Sequence, residues 1–458
     1  MSEKLLSVGL DVGTTTTQLI VSELTVQNEA SSFAVPQMQI TSRKIRYQSP
    51  VYFTPLVGQE LVDGAAVRKI VTAEYEKAGI SRETVDTGAI IITGETSRKE
   101  NAQAVLSALS DLAGEFVVAT AGPDLESVLA AKGAGAVDYS QATGKTLLHI
   151  DIGGGTSNMA LICEGVIVQT GCLNVGGRLI KQRKDGRIEY VSPVLSGLTD
   201  LRQGDYPEPV QVEAVAQILV HALEMAAGLR TPTSLLEKLT TRQTITKWRV
   251  PTKDVVISFS GGVADCIESA HEPNAFGDIG PILGQAIAKS RLCQGAYMLG
   301  KQTIRATVIG AGCHSAQLSG STVFSSGVAL PVKNLPVAVF TKQEQDSSQL
   351  PELIAQRIRQ KDADKVVLAL PGDESPTYEK IDKLASAIAQ GVSNGGVYIC
   401  LQADMAKALG HKLRLKLPQN TPILCIDSVQ LHDECFLDVG AAVGPAMPVV
   451  VKTLILSQ

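Results

Sequence analysis

The 458-residue sequence predicts an α/β protein made of two related lobes followed by a third α/β region. Two observations carry the duplication. A strand-turn-strand pattern with Asp-x-Gly in its turn occurs at residues 5–23 (LLSVGLDVGTTTTQLIVSE) and again at 147–164 (LLHIDIGGGTSNMALICE), which places Asp11 and Asp151 140 positions apart. Each copy then continues in βα alternation. A third observation marks the extra region: from about residue 330 the texture changes, with a polar linker (TKQEQDSSQLPE) followed by new strand and helix patterns. At about 100–200 residues per domain the length fits two to three domains. The expected limits are 1–135 for lobe I, 136–305 for lobe II and 306–458 for the added region.

In chain order, apolar runs at 5–10 and 18–21 flank Gly13 and read as a hairpin. A helical pattern around 58–78 and a strand at 89–93 (AIIIT) follow. Val105, Leu106, Leu109 and Leu112 share one helical face, Gly114 stops that helix, and FVVAT is the next strand. Lobe II opens with strands at 146–150, 159–163 and 166–170. The charged stretch KQRKDGRIEY (181–190) reads as an exposed excursion. A helix at 208–227, a strand at 254–260 ending in Gly261-Gly262, and a helix around 280–290 complete the lobe. The third region shows strands near 365–370, 396–401 and 423–426.

Composition narrows the function classes. Hydrophobic residues form 44 % of the chain and charged residues 19 %, enough aliphatic material for large cores. A formal charge of −5 without a basic stripe argues against nucleic acid as a partner. The apolar run Leu5–Leu10 is short for a signal peptide, and no segment approaches the ~18 apolar residues of a membrane span, so the expectation is a cytosolic protein without a membrane partner. Eight cysteines show neither C-x-x-C nor pairing with histidine at ligand spacing. They read as buried small hydrophobes rather than zinc, iron–sulfur or disulfide sites.

The two turns carry the chemistry. Glycine lets a ligand approach the main chain, and arrays of N–H groups with the hydroxyls of Thr14, Thr15 and Thr156 suit phosphate oxygens. Asp11 and Asp151 beside such turns suit Mg²⁺ held largely through water and substrate phosphates. A strand ending in Gly261-Gly262 lets a flat ring lie against backbone. ATGKT (142–146) ends like a P-loop but lacks the first glycine, where Tyr139 stands, and leads into a strand. IGAGCHSAQLSG (309–320) begins like a dinucleotide fingerprint and fails at Ser315.

The order D-x-G-T-T, D-x-G-G-G-T, then a strand ending in G-G resembles the phosphate-1, phosphate-2 and adenosine motifs of the actin, Hsp70 and sugar-kinase superfamily. GCLNVGGRLI (171–180) is similar to the glycine pair that follows phosphate-2 in the Hsp70 branch. More narrowly, IITGETSRKENA, SGGVADCI, GAGCHSAQLSGST and LDVGAAVGPAMPVVVKTLIL resemble the EutA family of reactivating factors for adenosylcobalamin-dependent ethanolamine ammonia-lyase. The resemblance implies a two-lobed actin/Hsp70-like ATPase fold and a chaperone-like, ATP- and Mg²⁺-dependent protein. Its partner would be the lyase, from which it releases damaged or adenosyl-less cobalamin so that intact adenosylcobalamin can enter. It implies that Gly13, Thr14 and Thr15 with Gly153, Gly154, Gly155 and Thr156 hold phosphates, that Gly261 and Gly262 back the adenosine, and that Asp11 sits near Mg²⁺. Asp151 would help position Mg²⁺ or the attacking water, and Glu95 is a further candidate for orienting that water.

No D-x-H-x-x-G occurs, and the six histidines lie on separate segments, so the cobalamin is expected on the client enzyme. The family implies a cytoplasmic location with association to a bacterial microcompartment. The rivals are a small-molecule (carboxylate or sugar) kinase of the same superfamily, an actin-like structural ATPase, and an activator of radical dehydratases. The absence of an acceptor-base motif disfavours the first, and the scattered cysteines disfavour the last. The third region, 306–458, is the candidate client contact.

Overall fold

Ser7, Gly9 and Asp11 alternate with Val8, Leu10 and Val12 along the first strand, and this alternation decides how lobe I is built. In the computed structural model, β1 (Glu3–Val12) is the centre of a sheet with β2 (Thr16–Asn28), β3 (Met38–Gln48), β4 (Tyr52–Phe53), β7 (Thr87–Ile92) and β8 (Val117–Thr120), in the order β3-β2-β1-β7-β8 with β4 beside β2. Two short strands, β5 (Leu56–Val57) and β6 (Leu61–Val62), form a small hairpin. Val8, Leu10 and Val12 pack against Val67, Val71 and Tyr75 of α1 (Gly64–Ala78). Asp63 caps that helix by accepting from the Ala66 N–H, and Gly79 ends it in the left-handed region. The structure describes residues 3–13, 16–28, 38–57, 61–93, 105, 109, 117–120, 123–241, 255–314, 317–320, 322–361, 363–392, 396–429, 431, 435–442 and 446–453.

Lobe II repeats the plan. After α2 (Pro123–Gly133) and α3 (Ala136–Thr143) come β9 (Thr146–Ile152), β10 (Ser157–Cys163) and β11 (Val166–Leu173), with β14 (Val255–Ser260) and β15 (Tyr297–Leu299) joining later in the order β11-β10-β9-β14-β15. In both sheets the first strand pairs antiparallel with the second and parallel with a later strand. Leu148, Ile150 and Ile152 face the main core with α4 (Pro209–Ala226) and α5 (Gly280–Ala288), whereas Leu147 packs with Ala131 and Ala136 on the opposite face. The stretch read as an exposed excursion is a hairpin, β12 (Ile180–Gln182) and β13 (Ile188–Val191), whose Ile180 and Ile188 are buried in that core. Its charges face outward while two isoleucines anchor it.

Packing crosses the limits expected at 135 and 305. Helix α2 lies on the lobe II sheet, and α6 (Ala306–His314) returns to lobe I, packing on β1, β2 and β7. The two helices touch along their backbones. A Cβ at Gly133 would overlap the Ala306 carbonyl oxygen, and one at Gly310 would overlap that of Leu129. A Cβ at Gly9 would lie 2.5 Å from both Gly312 N and Val308 O. The glycines of IGAG are thus packing glycines, needed because backbone meets backbone there.

The third region forms an eight-stranded sheet in the order β16-β23-β22-β18-β19-β20-β21-β17. Its members are β16 (Gln317–Leu318), β17 (Phe324–Ser326), β18 (Val332–Val339), β19 (Val367–Leu370), β20 (Val397–Leu401), β21 (Ile423–Asp427), β22 (Cys435–Val439) and β23 (Pro448–Thr453). Strands β18 to β21 run parallel, and α7 (Leu350–Gln360), α8 (Tyr378–Gly391) and α9 (Ala406–Lys416) cover one face through Ile354, Leu384 and Leu409. The C-terminal LDVG…PVVVKT segment belongs to this sheet, and Val450 joins it to Leu5, Leu24 and Val26 of lobe I. Among the described residues no helix is long and apolar enough to cross a membrane.

The crossing of α2 and α6 makes a measurable demand. Gly310→Ala should destabilise the chain by about 1–3 kcal/mol, the usual cost of overpacking, because Leu129 O cannot move without parting two helices. Gly155→Ala, which meets nothing within 4 Å, serves as the control, and chemical denaturation of both variants measures the difference.

Candidate functional site

The two aspartate hairpins open onto one cleft of about 640 Å³, lined by Asp11, Gly13, Thr16 and Gln18 from lobe I and by Asp151, Gly153, Gly154, Gly155, Thr156 and Asn158 from lobe II. Gly261 and Gly262 line it as well. Thr14, Thr15 and Glu95 lie outside the described residues.

The same hydrogen bond closes both turns. In the first, Gly13 N–H donates to the Thr16 carbonyl at 2.9 Å; in the second, Gly153 N–H donates to the Thr156 carbonyl at 2.9 Å. Across each hairpin the aspartate pairs with an amide residue, Asp11 with Gln18 and Asp151 with Asn158. Both amides are buried, and their side-chain oxygens have no hydrogen-bond partner among the described residues. An orphaned buried carbonyl is costly unless something enters to use it.

A second layer holds the lobe II turn. Gly177 N–H donates to the Gly153 carbonyl at 3.1 Å and Arg178 N–H to the Gly154 carbonyl at 2.6 Å. Gly176 admits no side chain because a Cβ would overlap the Gly154 carbonyl. This accounts for the glycine pair in NVGGRLI: it lets the chain seat directly on the turn and engages carbonyls that would otherwise compete for the site. Gly261 has φ +86° and lies against the carbonyl of Ile152, so its glycine is demanded by β9, while a Cβ at Gly262 would meet only the Ile304 side chain, at 3.9 Å.

Six carboxylates line the cleft, from Asp11, Glu126, Asp151, Asp265, Glu268 and Asp278, against one described lysine or arginine, Arg178. Burial pushes Asp11 up to about 7, with the charge of Asp151 adding to it and the 2.8 Å hydrogen bond from Thr93 opposing it. Burial likewise pushes Asp151 up to about 6, against a hydrogen bond from Ser260. Ser260 in turn sits 2.9 Å from Nε2 of His149, whose Nδ1 is 3.1 Å from Ser258. Burial lowers His149 to about 3, so this histidine is neutral and acts as part of the scaffold behind Asp151. Glu126, on α2, accepts from Asn158 Nδ2 at 2.6 Å and faces the same space.

Among the described residues no group of three or more His, Cys, Asp or Glu could hold a metal ion unaided. Two carboxylates with raised pKa values and two orphaned amide oxygens nevertheless fit a hydrated divalent cation that takes its remaining ligands from a substrate. Gln18, Asn158, Glu126 and Arg178 are among the lining residues to which the motifs assign no role. A signal for the first two was available, since each stands seven positions after its aspartate.

The family model described as Ethanolamine utilisation protein EutA matches residues 3–457. The ethanolamine ammonia-lyase reactivase EutA of Salmonella typhimurium (strain LT2) is 39 % identical over 478 residues, covering 99 % of each chain. The protein of the same description from Escherichia coli (strain K12) is 38 % identical over 474 residues with the same coverage. Among solved structures, a Ppx/GppA family member of Aquifex aeolicus has 12 % identity and a TM-score of 0.42, covering 67 % of this chain and 97 % of its own.

The raised aspartates set a pH dependence. Asp11 titrates near 3.8 in the unfolded chain and near 7 in the folded one, so the folded state binds more protons across that window and stability falls as pH rises through it. Without divalent cations, Asp11→Asn should melt above the wild type at pH 8, with the gap closing towards pH 4. A lower melting temperature at pH 8 would contradict the assignment.

Proposed function

The chain belongs to the EutA family, and from that premise we propose that it is an ATP-dependent, chaperone-like reactivating factor for adenosylcobalamin-dependent ethanolamine ammonia-lyase. Its work is to release damaged or adenosyl-less cobalamin from the lyase so that intact adenosylcobalamin can bind, in the cytoplasm and in association with a bacterial microcompartment. One observation supports the ATP-dependent part most: two matching glycine turns, each with an aspartate and a buried amide, face one cleft between duplicated lobes. The lyase as partner is supported by relatives whose printed description is ethanolamine ammonia-lyase reactivase.

In this reading Gly13, Thr14, Thr15 and Gly153 to Thr156 hold phosphate oxygens through threonine hydroxyls and main-chain N–H groups other than those of Gly13 and Gly153, which close the turns, and Gly262, with Gly261 shaping the bend, backs the adenine. Asp11 and Asp151, with the orphaned amide oxygens of Gln18 and Asn158 beside them, would hold Mg²⁺ largely through water. The metal supplies charge neutralisation between the phosphates and a carboxylate-rich cleft. Glu126, held by Asn158, orients the attacking water and accepts its proton; Glu95 is the other candidate for that task. Hydrolysis changes the ligand between the lobes, and about 5.5 kcal/mol of differential binding suffices to invert a 1:99 balance of two lobe arrangements. The catalysis is thus spent on a partner's state rather than on a metabolite. The third region, 306–458, is the proposed client contact.

The direct test incubates cyanocobalamin-blocked ethanolamine ammonia-lyase with this protein, ATP, Mg²⁺ and adenosylcobalamin. Recovered lyase activity that needs ATP is expected; no recovery, together with phosphate transfer to a small acceptor, would replace this reading by the kinase. Asp11→Asn should abolish Mg·ATP hydrolysis. Glu126→Gln should cut it by about 10²–10⁴-fold while keeping ATP affinity, and a wild-type rate would remove Glu126 from the mechanism. Arg359→Glu, at an exposed position of α7, with Lys361→Glu at the half-buried cap that follows it, should lower reactivation and leave ATP hydrolysis unchanged. Arg357 is unsuitable because it stacks on Phe340 at 4.4 Å and pairs with Glu344.

A further inference from the structure

Phe53 and Arg178 meet across the mouth of the cleft, and each is mounted on one of the two glycine turns. Phe53 pairs with Thr16, the last residue of the first turn, and the adjacent Thr54 donates from Oγ1 to the Gly13 carbonyl at 2.7 Å. Arg178 is fixed to the second turn by its backbone bond to Gly154. Between these anchors the guanidinium carbon stands 5.4 Å from the centre of the Phe53 ring, and Nε lies 3.2 Å from Asp278 Oδ2. Asp278 is held in place by the Gly280 N–H, which donates to Oδ1 at 2.9 Å.

Two features make this more than an incidental contact. Phe53 is 73 % exposed, so core burial does not explain its position, whereas the guanidinium on its face does. Arg178 is also the single described lysine or arginine in a cleft lined by six carboxylates. A polyphosphate entering between the turns therefore has one described side-chain cation to draw on. A guanidinium bonds phosphate oxygens in a planar fork, a stronger partner than a ring face or a single-nitrogen contact to Asp278.

Resting on the nucleotide reading above, we infer that Arg178 is a polyphosphate ligand for which Asp278 and Phe53 compete, so that the Phe53–Arg178 contact is a clasp between the lobes that the nucleotide opens. Binding draws the guanidinium off the ring and uncouples β4 from lobe II. The clasp is tied by hydrogen bonds to both phosphate-facing turns, so occupancy of the turns and the state of the rim are linked without a long relay. An exposed aromatic ring is then offered or withheld at the surface according to the ligand between the lobes.

The test is calorimetric titration of the full chain with ATP and with adenosine in the presence of Mg²⁺, for wild type, Arg178→Gln, Asp278→Asn and the double variant. Arg178→Gln should weaken ATP by about tenfold, equivalent to ~1.4 kcal/mol, and leave adenosine affinity unchanged. Asp278→Asn should tighten ATP when Arg178 is present and do so by a smaller factor in the Arg178→Gln background, the non-additivity expected of a shared partner. If the wild type binds no ATP, the nucleotide reading falls and this inference falls with it. If the wild type binds ATP and Arg178→Gln binds it equally well, the inference alone is overturned, as it is by an equal Asp278→Asn effect in both backgrounds. Should Arg178→Gln fail to fold, Phe53→Ala decides: removing an exposed competitor should tighten ATP at an unchanged melting temperature, and unaltered affinity rejects the clasp.

Discussion

The architecture depends on a backbone-to-backbone crossing of two helices. Helix α2 leaves the first sheet in sequence but packs on the second, and α6 leaves the second and packs on the first. Each passes the other at Gly133 and Gly310, where no side chain fits. Small and polar positions on the strands beneath make room for this. Ser7 and Gly9 face α6, with Ser7 Oγ donating to the Gly312 carbonyl at 2.6 Å, and the same face of β1 ends in Asp11. On β9 the equivalent face runs Leu147, His149, Asp151. The crossing therefore brings together the two strand faces whose last residues are the aspartates, and the cleft lies where those faces end.

That geometry creates an electrostatic problem which the site exploits. Two desolvated aspartates raise each other's cost of ionisation, and four more carboxylates line the same space. Nothing polyanionic binds there without bringing positive charge. In the proposed reading, a nucleotide arriving with a divalent cation would meet both needs, the cation answering the carboxylates and the orphaned amide oxygens and the turns answering the phosphates. His149, Ser258 and Ser260 form an uncharged scaffold that keeps Asp151 aimed without adding charge of their own.

Local pattern made the hairpins, their turns and most strands legible, because period-2 alternation and Asp-x-Gly turns are short-range signals. Partnership between distant elements was not. Gln18 and Asn158 read as ordinary strand residues until the register sets them opposite the aspartates. Glu126 lies on a helix whose lobe the chain order misassigns, and Arg178 gains meaning only from Phe53 on the far side of the cleft. The hairpin at 180–191 is hidden by charge: two buried isoleucines among six charged residues decide its structure, and composition averages them away. IGAG begins like a fingerprint, but Gly310 answers a steric demand made by a helix about 180 residues earlier and Gly312 one made by β1 and β2 about 300 residues earlier.

The central claim is that one nucleotide sits between the two matching turns with its metal beside both aspartates. A crystal structure of the chain with Mg²⁺ and a non-hydrolysable ATP analogue tests it most directly. The account predicts the terminal phosphates between residues 13–16 and 153–156, the cation within one water of Asp11 and Asp151, and the adenine beside Gly262. Density for the analogue anywhere else, with the cleft between the turns holding only solvent, would contradict it.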